Sequence, residues 1–76
     1  MDLKQLRYFV AVAERGSINA AAQVLHVAQS AVSRQMQNLE AEVGGLLFDR
    51  SVSGAAVNET GQRLLERARF ILGEVE

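Results

Sequence analysis

The sequence contains no cysteine, no proline and no tryptophan, and only one histidine. Without cysteine there are no disulfide bonds and no thiolate metal sites, and a reducing compartment is permitted. No internal repeat, Gly/Ser/Pro-rich linker or low-complexity tract interrupts the chain. No stretch approaches the roughly 20 apolar residues that a membrane-spanning helix needs. The start, MDLKQLRYF, lacks the apolar run of a signal peptide. The expectation is a cytoplasmic protein with no membrane partner.

A basic excess is missing too. The net charge is −1 and the isoelectric point is about 5.8, whereas nucleic-acid-binding domains are often basic. The distribution matters more than the sum. No Asp or Glu occurs between Ser17 and Leu39, the stretch that holds Arg34. The acids lie towards the two ends and at Glu40, Glu42 and Asp49, so the centre can face phosphates without carboxylate repulsion. What is present is a globular composition: 76 residues, 49% hydrophobic and 22% charged. A chain this short buries only about 60% of its unfolded surface, so further burial through self-association is expected.

The spacing of apolar residues predicts a first helix from Leu3 to about Arg15. Asp2 is its cap, Gln5 is placed to reach back in a capping box, and the buried stripe is Leu3, Leu6, Phe9, Val10 and Ala13. Gly16 ends it. Ser17 caps a short second helix, Ile18 to Leu25, whose small residues Ala21 and Ala22 permit close crossing. His26 to Ala28 form a turn. A third helix runs from Ala28 or Gln29 to Val43 with a narrow stripe of Val32, Met36, Leu39 and Val43. Its outward face carries Ser30, Arg34 and Gln37, flanked by Ser33 and Asn38. Gly44 and Gly45 stop it. Two short strands follow, through Leu46–Phe48 and Ala55–Val57, around a turn at Ser51–Gly54. Asn58 caps a last helix from Glu59 to near the end, with Leu64, Leu65, Ala68, Ile71, Leu72 and Val75 on one side and Phe70 almost opposite.

Three helices, a two-stranded wing and a C-terminal helix make a mainly α, winged helix-turn-helix fold. Residues 1–58 are the winged domain and 59–76 a linker and dimerisation helix. Such a fold inserts the N-terminal part of its third helix into the major groove. That part presents Gln29, Ser30, Ser33 and Arg34. Arginine can bind guanine O6 and N7 together, and glutamine adenine N6 and N7. The second apolar side of the last helix, at Phe70, points to coverage by a partner.

Other features carry less. His26 has no accompanying ligand or base and reads as a turn residue; no metal and no cofactor are expected. Arg63, Arg67 and Arg69 alternate with Glu59, Glu66, Glu74 and Glu76, the pattern of a solvated, salt-bridged face. No Ser-His-Asp set or carboxylate pair supports an enzyme. The rival reading is a winged-helix protein-interaction module, which the acidic isoelectric point would suit.

The motifs AA-x-x-L-H-V-x-Q-S-A-V-S-R-Q from Ala21 to Gln35, L-E-x-E-V-G from Leu39, L-F-x-R from Leu47 and T-G at Thr60 resemble the N-terminal domain of LysR-type transcriptional regulators. The resemblance spans essentially the whole chain. It implies a bacterial, sequence-specific regulator that binds double-stranded operator DNA as a homodimer or higher homo-oligomer. It implies base contacts from Gln29, Ser30 and Arg34. Backbone contacts are implied from Ser17, Ile18, Ser33, Gln37, Arg50, Ser51 and Ser53. It implies a dimer interface at Leu64, Leu65, Ala68, Phe70, Ile71, Leu72 and Val75. Members usually carry a separate C-terminal domain for a small-molecule inducer, so no inducer site is expected in these residues. Three departures stand out. Ala28 replaces the usual capping serine, Ser30 stands where proline is common, and the wing has Ser53 where a basic residue is often found and Ala56 where a polar or basic one is.

Overall fold

The computed structural model describes residues 1–49 and 54–73. Four helices and one strand pair follow in order: α1 (Leu3–Arg15), α2 (Ile18–Leu25), α3 (Gln29–Val43), β1 (Phe48–Asp49), β2 (Ala56–Val57) and α4 (Glu59–Ile71). The strands are antiparallel, with Phe48 opposite Val57 and Asp49 opposite Ala56.

Three of the helices begin, and three end, for a local reason. Asp2 Oδ1 accepts the Gln5 N–H at 2.7 Å, Ser17 Oγ the Ala20 N–H at 2.9 Å, and Asn58 Oδ1 the Gly61 N–H at 2.7 Å. Each bond satisfies an amide that a helix start otherwise leaves open. Gly16 and Gly44 end α1 and α3 with φ of 75° and 83°. His26 ends α2 in the same left-handed region, at φ 59°, where its N–H turns back to the Ala22 and Gln23 carbonyls.

One core serves all six elements. Phe9, Val12, Val32, Leu39 and Leu47 are fully buried, and Phe9 meets Phe48 with ring centroids 5.6 Å apart, tilted at 53°. Such a pair contributes about 0.5–1.5 kcal/mol beyond its buried area. Ala21 and Ala22 are buried, as close helix crossing requires. α1 is the central post: α2, α3 and α4 all pack on it.

That position overturns part of the expected α1 stripe. Leu3 is exposed, while Tyr8 and Val12 are buried, because a helix covered by three others buries more than one face. The expected capping box also fails: the Gln5 side chain turns inward, and its Nε2 donates to Gln35 Oε1 of α3 at 3.3 Å. In α3, Val43 is exposed and Glu40 is buried instead. α4 ends at Ile71, with Leu72 and Gly73 in a turn.

Candidate nucleic-acid interface

The N-terminal half of α3 presents a group of polar side chains together. Gln29, Ser30, Ser33, Arg34 and Gln37 line one shallow hollow on its N-terminal half. Ser33 is half-buried and the other four are exposed. They fall on one side because the Val32, Met36 and Leu39 stripe faces α1 and α2. The Arg34 guanidinium has no ion-pair partner among the described residues. Ala28 provides no side-chain cap, and its carbonyl receives the Ala31 and Val32 N–H groups. The nearest acid in the sequence is withdrawn from this face. Glu40 is buried, and its Oε2 accepts the Leu47 N–H at 2.8 Å.

The start of α2 lies beside the root of the wing. The Ala55 N–H donates to the Gly16 carbonyl at 2.9 Å. A Cβ on Gly54, whose φ is +89°, would sit 2.7 Å from that same oxygen. Ser17 and Ile18 are half-buried, and the Ser17 hydroxyl is already engaged as the cap of α2. The structure therefore brings Ser17 and Ile18 together with the wing root. The expected contacts at Arg50, Ser51 and Ser53 lie outside the described residues, as does Val75.

α4 divides the expected dimer surface in two. Leu65 and Ala68 belong to the domain's own core, and Leu64 and Leu72 are partly buried against it. α1 and β2, rather than the strands alone, cover that side. Phe70 and Ile71 are 75% and 56% exposed, and with Arg63, Glu66 and Arg67 they line an open groove. Arg63 pairs with Glu59 within the helix, and Arg69 pairs with Glu14 of α1.

Sequence reasoning missed Glu40, Gly61 and the Gln5–Gln35 pair. Glu40 was legible in principle, because it stands four residues after Met36 and therefore on the apolar side of α3. Nothing local signalled the other two. Among the described residues no cluster of His, Asp or Glu could hold a metal ion, and no helix is long and apolar enough to cross a membrane.

Residues 3–62 match the family model described as bacterial regulatory helix-turn-helix protein, lysR family. The chain is 46% identical over 76 residues to the HTH-type transcriptional regulator ClcR of Pseudomonas putida, covering 100% of this chain and 26% of that protein. It is similar to the crystal structure of the CbnR DBD–DNA complex, with 49% identity, a TM-score of 0.91, and coverage of 97% of this chain and 85% of that one. The BenM DBD–catB site 1 DNA complex is 40% identical, with a TM-score of 0.91 and coverage of 97% and 82%. The chain thus spans about a quarter of the length of a full regulator such as ClcR. With its helix order, wing and motif turn, the chain belongs to the LysR family of bacterial regulatory helix-turn-helix proteins.

Proposed function

We propose that this chain binds double-stranded operator DNA sequence-specifically, in the cytoplasm of a bacterium, and regulates transcription without catalysing a reaction. α3 enters the major groove, where Gln29, Ser30 and Arg34 read base edges while Ser33 and Gln37 contact the backbone. The N–H groups at the start of α2, at Ser17 and Ile18, approach a phosphate, and the wing follows the backbone. The observation that carries this reading is the acid-free polar hollow on α3, with Arg34 exposed and unpaired among the described residues. The DNA complexes of the CbnR and BenM domains support it.

Residues 59–76 do two jobs in this reading. The inner side of α4 completes the core, and its outer side, centred on Phe70 and Ile71, pairs with a second copy. A small domain gains burial that way, and two recognition helices gain avidity.

The test is a mobility shift with operator-containing and unrelated DNA across a salt series. DNA binding predicts a log–log slope near −0.9 per phosphate contacted and a preference for particular sequences. Binding that ignores both salt and sequence favours a protein-interaction module.

A further inference from the structure

The proposed recognition helix and pairing helix are connected through Leu47. Its N–H donates to Glu40 of α3 at 2.8 Å, and its carbonyl accepts the Asn58 N–H at 3.0 Å. Asn58 opens α4 and also donates from Nδ2 to the Leu46 carbonyl at 2.8 Å. Gly61, in the first turn of α4, rests on the same Leu47 carbonyl. A Cβ there would lie 2.1 Å from Leu47 O and 3.1 Å from Val57 Cβ. Its φ is not positive, so close approach, and not backbone conformation, demands glycine at this position. The far end of α4 is held as well, by two bonds from Arg69 to Glu14 Oε2 at 3.0 and 3.2 Å. α4 is thus tied down at its root through Leu47 and Asn58, while its far end is joined to α1 by an exposed ion pair.

We infer that Gly61 is a spacing-determining residue: its contact with Leu47 sets the angle between α3 and α4, and hence the separation of the two recognition helices in a dimer. The inference rests on the proposal that copies pair through the outer side of α4. A methyl group at position 61 must drive the Leu47 carbonyl away by roughly 1 Å, because close-packed interiors have no spare room. The pairing residues Phe70 and Ile71 lie about 15 Å further along the helix at 1.5 Å per residue. A shift at the root of α4 therefore moves each reading face relative to the pairing surface. Two-fold symmetry doubles the movement, bringing it towards the rise of one base pair, about 3.4 Å. The reading face itself is not what a side chain at position 61 would strike, since the atoms nearest a Cβ there belong to Leu47 and Val57 and not to Gln29, Ser30 or Arg34.

The test is selection of bound DNA from a pool carrying two half-sites at variable separation. It is run with the wild-type chain, Gly61→Ala and Asn58→Ser. The wild type should select one separation. Gly61→Ala should keep the half-site sequence but move the preferred separation by about one base pair, or flatten the preference several-fold. Asn58→Ser keeps a capping oxygen and loses the bond to Leu46; it should broaden the same distribution, and it serves if circular dichroism shows Gly61→Ala to be unfolded. An unchanged separation in every folded variant overturns the inference and leaves paired binding standing. Absence of any preferred separation in the wild type overturns both.

Discussion

The Ala55 N–H and the Gly16 carbonyl, 2.9 Å apart, fasten the returning strand of the wing to the turn that launches α2. The root of the wing and the start of α2, two places proposed to lie near DNA, are therefore tied to each other. Gly54 makes this possible, because its φ of +89° and the 2.7 Å from its would-be Cβ to Gly16 O both exclude a side chain. Gly54→Ala should cost about 1–3 kcal/mol of stability, read by urea denaturation. It should also weaken DNA binding at temperatures where the fold persists. An unaltered denaturation midpoint would show that the wing root is not strapped down.

Arg34→Ala should leave stability nearly unchanged, since the side chain is exposed and unpaired among the described residues. It should remove about 1–3 kcal/mol of discrimination at one base pair. Comparing affinities for single-base variants of the best-bound site tests this. Uniform weakening across all variants would assign Arg34 to a phosphate instead.

Ala28→Ser should stabilise the domain by about 1 kcal/mol. Ala28 already has the extended backbone of an N-cap, at φ −69° and ψ 145°, and gives α3 no side-chain bond. A serine oxygen could accept an amide of the first turn without moving the chain. Thermal denaturation of the two proteins decides it, and an unchanged or lower midpoint would count against a missing cap.

Ile71→Glu and Leu65→Ala should separate the two sides of α4. Ile71 is exposed and Leu65 is buried. Ile71→Glu should therefore yield a folded monomer with weaker binding to paired half-sites. Leu65→Ala should cost about 2–5 kcal/mol of folding stability. Sedimentation velocity alongside denaturation distinguishes them. If Ile71→Glu sediments like the wild type, Phe70 and Ile71 are not the pairing surface.

Local signals in the sequence determined much of this protein. Asp2, Ser17 and Asn58 cap because their short oxygens reach an amide three residues on. Gly16 and Gly44 stop helices because glycine enters the left-handed region at little cost. The polar side of α3 was legible because Val32, Met36 and Leu39 fix by periodicity which side is buried. All these effects act within a few residues. Tertiary structure decided what depends on elements far apart in the chain. Leu3 is exposed and Tyr8 buried because three helices pack around α1. Gln5 abandons its own helix end for Gln35, thirty residues away. Leu65 and Ala68, indistinguishable by periodicity from Ile71, turn inward because α1 lies there to cover them. Gly61 is glycine because a carbonyl from β1's approach, fourteen residues earlier, occupies the space a side chain would need. Periodicity states which residues share a face, but only the packing of one element on another states what that face meets.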